Sequence, residues 1–298
     1  MRPAGPNPGR SPGAIIVGMA GPILKTLDRL ISKAGLGSRS DARRWISEGR
    51  IQVNGKAARS AEEWVDPERD RVTLDGRPLE AEDPLYVLLY KPRGYVTTYK
   101  DPDGRPTVYD LLQGVETFVG TVGRLDLDTT GLLLLTNDNP LADRLTDPRW
   151  HVPKTYLVKS STLLTEEQLQ RLRDGVELDD GPTRPAQVQR ARDSEKYTFI
   201  ELTISEGRNR QVRRMLEAVG SRVLKLVRTR IGPLTIGDLP IGRWRPLTVA
   251  EVRTLRQLVG IQDNHAHSQS EGKLLLPQGN RAVLGGRRGK PRLRDRTR

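Results

Sequence analysis

Four leucines in succession, Leu132 to Leu135, stand between Gly131 and the group Asn137, Asp138, Asn139 and Pro140. An uninterrupted apolar run of this length, closed on both sides by turn formers, predicts a buried strand. The residues before it are polar: T-V-G-R-L-D-L-D-T-T, with a turn expected at Gly123. Asp126 and Asp128 therefore fall on a loop anchored by a rigid element, the usual setting of catalytic groups.

A D-x-D by itself is most simply a turn, with Asp128 capping it and Asp126 paired to Arg124. D-L-D-T-T also imitates the D-x-D-x-T of aspartyl-phosphate phosphatases, in which an Asp attacks phosphorus beside Mg²⁺. That chemistry places the first Asp at the end of a hydrophobic strand. Here the strong strand follows the Asp, so the context does not fit.

Charge narrows the partner. Lys and Arg number 50 against 37 acidic residues, a net charge of +13, which points to a polyanion, namely nucleic acid. No apolar run approaches the roughly 20 residues of a membrane-spanning helix. The absence of cysteine excludes disulfides, thiolate zinc sites and thiol catalysis. His265 and His267 form an incidental H-x-H in a polar stretch. Residues 1–22, rich in Pro and Gly, read as a disordered leader within which Met19 is an alternative start. Residues 261–298 hold nine Lys or Arg against three acidic residues. They read as a disordered basic tail, able to adhere to RNA without specificity.

Residues 25–82 read as a first domain. Leu27, Leu30, Ile31 and Ala34 mark one helical face, ended by Gly35-Leu36-Gly37. Ser38 or Ser40 caps a second helix with Ala42, Trp45 and Ile46 inside. Ile51 to Val53 and Arg71 to Leu79 predict strands, with tight turns at Asn54-Gly55 and Asp75-Gly76. Lys25, Arg29, Lys33, Arg39, Arg43, Arg44 and Arg50 crowd the polar faces, which predicts a surface contacting RNA phosphates.

Residues 85–260 read as a second domain. Strands are expected at 85–90, 154–158, 186–190, 197–204 and 223–231, with a basic turn at Lys91-Pro92-Arg93-Gly94. Asn139 followed by Pro140 predicts one helix start, Thr165 with Gln168 a second, and Thr248 with Glu251 a last. Asn209 is expected to cap a helix with Val212, Met215, Leu216 and Val219 inside. Arg208, Arg210, Arg213 and Arg214 crowd its first turns, where cations oppose the helix dipole, so a carboxylate or a substrate phosphate is expected beside them. Runs of strands with helices between them predict an α+β fold.

L-D-R-L-I-S-K-A-G-L-G-S-R-S-D-A-R-R-W-I-S-E-G-R-I-Q-V-N-G resembles an S4 domain, a small α/β RNA-binding module. V-G-R-L-D-L-D-T-T-G-L-L-L-L-T-N-D, K-T-Y and E-G-R-N-R-Q-V-R-R-M, followed by L-V-R-T-R-I-G, resemble RNA pseudouridine synthases of the RsuA/RluB type. E-G-R-N-R and I-G-R-W-R-P-L-T look closer to the large-subunit branch. The resemblance implies a mixed, mainly antiparallel sheet and isomerisation of uridine to pseudouridine without cofactor or metal. It also implies a ribosomal RNA partner within an assembly intermediate, a cytoplasmic location and a monomer. Asp126 matches the catalytic carboxylate, acting as nucleophile at C1′ or as base at C2′. Tyr156 matches the tyrosine that stacks on uracil, and Arg213 the cation that pairs with the catalytic Asp. Leu226 matches the apolar residue beside the base. Arg124, Arg208, Asn209 and Arg210 are the remaining expected substrate contacts. The rival readings are a non-catalytic rRNA-binding or assembly protein, and a synthase acting on small-subunit rRNA.

Overall fold

The computed structural model describes residues 24–67, 69–79 and 83–262. The expected leader, Met19, His265, His267 and the tail beyond residue 262 lie outside them. The main division between two compact units falls between Leu79 and Glu80. Among the described residues no helix is long and apolar enough to cross a membrane.

Helices α1 (Leu27–Lys33) and α2 (Arg39–Ser47) form where apolar spacing predicts them. Leu27, Ile31, Ala42 and Ile46 are buried, whereas Leu30 and Trp45 are half-buried. A small antiparallel sheet orders Lys56–Ala57, Ile51–Val53, Val72–Leu74 and Arg77–Pro78. Its hairpins turn at Asn54-Gly55 and Asp75-Gly76, all four residues having φ between 51° and 79°. That is the turn whose twist matches its flanking strands.

The basic face of this unit is partly neutralised from within. Asp28, fully buried, accepts from Thr26 Oγ1 and Arg39 Nε, each at 2.8 Å, and lies 3.5 Å from Arg43. Burial pushes its carboxyl up, but the bonds from Thr26 and Arg39 outweigh this and hold it below the usual range. Arg44 meets Asp41 at 3.0 Å and Arg50 meets Asp75 at 2.6 Å. Lys25, Arg29 and Lys33 make no ion pair among the described residues.

The second unit is built on a nine-stranded mixed sheet. Its main path runs Gln187–Asp193, Thr198–Ile204, Lys154–Ser160, Val223–Ile231, Thr130–Thr136, Tyr86–Lys91 and Trp244–Pro246. Neighbours are antiparallel except Val223–Ile231 beside Thr130–Thr136, a parallel pair. Helices α3 (Asn139–Thr146), α4 (Glu166–Asp174), α5 (Gln211–Ala218) and α6 (Val249–Leu258) complete the α+β unit.

The four-leucine run is the centre of this sheet. Successive strand side chains point to opposite faces. Leu132 and Leu134 share a core with Leu141 and Leu145 of α3 and Val252 and Leu255 of α6. Leu133 and Leu135 share the other with Leu169 and Leu172 of α4 and Met215 and Leu216 of α5. All four leucines are fully buried. A strand covered on both faces must read as a continuous apolar run.

The parallel junction is short: Val227 is in register with Thr130, and Arg228 with Gly131. Gly131 is required there. Its φ is 118°, and a Cβ on it would stand 2.3 Å from the Arg228 carbonyl oxygen.

Two helix starts differ from the sequence expectation. Asp138, not Asn139, caps α3, accepting from Leu141 N, and Pro140 lies in the first turn. A carboxylate satisfies free N–H groups and also opposes the positive helix end. Asn209 does not cap α5. Arg210 precedes that helix in the left-handed region, at φ 47°, without a side-chain cap. Instead Gln211 Oε1 accepts from Arg208 N at 3.1 Å, and the Asn209 carbonyl accepts from Arg214 Nε at 3.0 Å. The left-handed turn gives the chain its reversal into the helix and takes the place of an Asn cap.

Candidate active site

The loop ahead of strand Thr130–Thr136 is held from beneath at several positions. Thr97 Oγ1 donates to Leu125 O at 2.7 Å, and Gly94 N donates to Leu127 O at 2.8 Å. Lys91, the last residue of strand Tyr86–Lys91, donates its ammonium to Asp126 O at 3.0 Å, Thr129 O at 2.9 Å and Pro92 O at 3.1 Å. Asp128 is gripped through its side chain. The basic turn expected at 91–94 is thus corrected at its first residue. Lys91 is fully buried, because three carbonyls converge where its stem ends. Burial lowers its ammonium pKa to about 8; the nearby Asp126 and Asp128 oppose the shift and Arg228 adds to it.

Helix α5 and the turn before it bring two cations to the loop. Arg213 Nη2 lies 2.9 Å from Asp128 Oδ2, and Arg210 Nη1 lies 3.4 Å from Asp128 and 3.7 Å from Asp126. The expected pairing of Arg213 with Asp126 is corrected: the tight partner is Asp128. Arg213 is the deeper arginine, its side chain 10% exposed against 47% for Arg210. It meets the carboxylate nearer the buried strand, and Asp126 keeps only a loose contact with the outer arginine.

Beside the short parallel junction a cleft of about 200 Å³ opens. Of the residues singled out from sequence, Arg124, Asp126, Tyr156, Arg208, Arg210 and Leu226 line it. Asn209 and Arg213 do not. Tyr156 lies opposite Leu202 and Arg228 on the flanking strands and is 9% exposed, with Leu226 at 5%. The Asp126 side chain remains 36% exposed.

The other arginines of this segment find carboxylates too, as the dipole argument requires. Arg214 binds both oxygens of Asp180, at 2.8 and 3.1 Å, and Arg208 reaches Asp180, Gly181 O and Glu206. The Arg214 bonds hold the Asp180 carboxyl below its usual range. Arg208 therefore braces the Asp180–Pro182 turn, although part of it lines the cleft.

Two further cleft residues, Arg228 and Lys154, were not among those singled out from sequence. Arg228 is 3% exposed and donates Nε to Leu132 O at 2.8 Å. Burial lowers the Lys154 ammonium pKa to about 8, with Arg228 adding to the shift. A cation inside the apolar string L-V-R-T-R-I was the available clue to Arg228. Among the described residues no three acidic or histidine side chains gather to hold a metal ion.

Two family models match: RNA pseudouridylate synthase over residues 85–218 and S4 domain over 25–72. Ribosomal large subunit pseudouridine synthase B of Bacillus subtilis is 41% identical over 237 residues, spanning 79% of this chain and 97% of that protein. An uncharacterized RNA pseudouridine synthase of Aquifex aeolicus is 40% identical over 79% of this chain and 95% of its own. Ribosomal small subunit pseudouridine synthase A of Yersinia pestis is also 40% identical, over 77% of this chain and 97% of its own. A crystal structure of a pseudouridylate synthase superposes with a TM-score of 0.57 at 34% identity, covering 77% of this chain and 98% of that one.

Proposed function

The chain belongs to the RNA pseudouridine synthases of the RsuA/RluB type, enzymes that isomerise uridine in RNA, and we propose that it modifies large-subunit ribosomal RNA with Asp126 as its catalytic carboxylate. The observation that carries this reading is the cleft itself. Asp126, pinned through its backbone but with its carboxylate exposed, shares that cleft with Tyr156 and Leu226.

Isomerisation breaks N1–C1′, turns the uracil and bonds C5 to C1′; the C5 proton is lost and N1 gains one. The uridine must first leave its stack. Asp126 then acts at the sugar, by attack on C1′ or by taking the C2′ proton. Tyr156 and Leu226 hold the detached base between an aromatic and an apolar surface. Tyr156, the phenol in that cleft, is the group assigned to assist loss of the C5 proton. Arg213 and Asp128 keep the loop in place, a positioning role, and Arg210 faces the reacting carboxylate.

The large-subunit assignment rests on E-G-R-N-R and I-G-R-W-R-P-L-T, since relatives of both branches are similarly identical. The enzyme works as a cytoplasmic monomer on rRNA within an assembly intermediate. Pseudouridine mapping of both rRNAs from cells with and without the gene tests the target. One large-subunit site should disappear. Loss confined to small-subunit rRNA would overturn the assignment, and loss at neither would remove rRNA as substrate.

Arg213→Met should lower the single-turnover rate by about 10- to 100-fold with little change in RNA affinity, because small displacements of a reacting group are that costly. If affinity falls and the rate does not, Arg213 is a phosphate contact and not a loop anchor.

The S4 unit supplies phosphate contacts through Lys25, Arg29 and Lys33, while Arg39 and Arg43 tie the second helix to Asp28 of the first, and Arg44 pairs with Asp41 of its own helix and with Glu48 just after it. Replacing Arg29 and Lys33 by Gln should weaken RNA binding. It should also flatten the log affinity–log salt slope by about 0.7 to 0.9 for each phosphate no longer neutralised. Titrations at several salt concentrations that give an unchanged slope would show that this face does not touch RNA.

A further inference from the structure

A second, shallow depression adjoins the cleft. It is lined by Asp143, Arg144, Asp147, Arg149 and Trp150, and it shares Asp147 with the cleft, which Pro148 also lines. Trp150 is 38% exposed, one of several large apolar side chains left partly in water. Its position is constructed. Asp147 caps the short 3-10 turn Pro148–Trp150 by accepting from Arg149 N at 2.9 Å. His151 follows in the left-handed region at φ 49°, so the chain turns sharply after the indole and then enters strand Lys154–Ser160, which carries Tyr156. The Arg144 guanidinium stands 5.0 Å over the Trp150 ring and is itself tied to Val259 O at 2.8 Å. Gly260, at φ 65°, lets the indole lie close: a Cβ there would be 3.3 Å from its Cη2 and Cζ3.

The depression does not suit a phosphate. Arg149 is spent on Asp147 through contacts of 2.6 and 2.9 Å, Arg144 is committed to Val259 O and the indole, and Asp143 and Asp147 add negative charge to the lining. What remains is a flat aromatic surface with a cation behind it, a site for a neutral ring. RNA supplies such a ring at this place. When the target uridine turns into the cleft, the nucleotide next to it loses a stacking partner. An indole at the rim replaces that partner, and base–aromatic stacking is sequence-tolerant because every base has a π-face.

We propose that Trp150 is a stacking platform for a nucleobase adjacent to the target uridine, forming a second binding subsite with Arg144 behind it. The proposal rests on the reading of the neighbouring cleft as the uridine site. Trp150 binds and positions RNA; it touches no reacting atom.

The test is a double-mutant cycle between protein and RNA. The probe is an rRNA fragment of about 30 nucleotides carrying the mapped uridine, with single abasic substitutions at each of the three flanking nucleotides on either side. Equilibrium affinity is measured for the full-length wild type, Trp150→Ala and Trp150→Phe. On the intact fragment Trp150→Ala should bind roughly tenfold more weakly and Trp150→Phe close to wild type. One abasic position should weaken the wild type by a similar factor and cost Trp150→Ala nothing more. The proposal is overturned if Trp150→Ala binds the intact fragment like wild type, or if every abasic position costs both proteins equally. The wild-type abasic series stands even if Trp150→Ala unfolds: no flanking position sensitive to base removal would also overturn it. Because affinity needs no turnover, this outcome is separate from the fate of the Asp126 assignment, which is read from rate.

Discussion

Asp126→Asn is expected to abolish pseudouridine formation, lowering the single-turnover rate by at least about a hundredfold, the lower bound for losing a general base. An amide can neither attack C1′ nor accept the C2′ proton, yet it fills the same space. The fold should not notice the change. The carboxylate is 36% exposed and its nearest ion-pair partner is the half-exposed Arg210 at 3.7 Å, and such surface pairs are worth about 0–1 kcal/mol. The bond from Lys91 that places the residue is accepted by its backbone carbonyl, which the substitution leaves in place. RNA affinity should therefore change by no more than about fivefold, the equivalent of about 1 kcal/mol, because Tyr156 and Leu226, the surfaces proposed to hold the uridine, are untouched. Release of the C5 hydrogen from 5-tritiated RNA measures the rate directly. Retained turnover would remove Asp126 from the chemistry and direct attention to Asp128.

Lys91→Met should have the next largest effect, on stability as well as rate. Its ammonium satisfies the carbonyls of Pro92, Asp126 and Thr129 in a fully buried position. A thioether offers none of these bonds, and each buried acceptor left unpaired costs about 1–3 kcal/mol. Relief from burying a charge offsets part of this, so a net destabilisation of about 2–4 kcal/mol is expected. The loop that carries Asp126 is deprived of its central anchor, and the turnover rate should fall by about a hundredfold.

The stability difference between the two proteins should depend on pH. The folded Lys91 ammonium titrates near 8, below its ordinary value of 10.5. Between those values the unfolded chain holds a proton that the folded chain has shed, so wild-type stability gains with rising pH through that window. Lys154, lowered in the same way, gives both proteins a similar slope. Wild type minus Lys91→Met isolates Lys91, and that difference should grow from about pH 8 to pH 10.5. Denaturant melts at about pH 7, 8.5 and 10, spanning that window, would show it; a flat or shrinking difference would mean that Lys91 keeps its proton when folded.

The family is carried by relatives at 40–41% identity that this chain spans almost end to end. The proposed large-subunit target rests on two short segments, E-G-R-N-R and I-G-R-W-R-P-L-T.

What the sequence by itself determined lies in features that need only near neighbours or simple periodicity. The buried strand is written in Leu132–Leu135 because a strand covered on both faces has no polar side to show. Thr165 with Gln168 and Thr248 with Glu251 form the capping boxes they spell, since both partners lie within one turn. Asn54-Gly55 and Asp75-Gly76 turn as their left-handed tolerance requires. Tertiary structure alone decided which cation meets which oxygen acceptor. Lys91 is 35 residues from the Asp126 carbonyl it holds, and Arg213 is 85 from Asp128. Arg208 and Arg214 find Asp180 across the Asp180–Pro182 turn, and Arg210, not Asn209, opens α5. An ion pair depends on the last few ångströms of approach between segments brought together by the core. Residue type and spacing state that a positive helix end needs negative partners; only packing of α5 against the loop selects Asp128 for the deep arginine and leaves Asp126 facing the cleft.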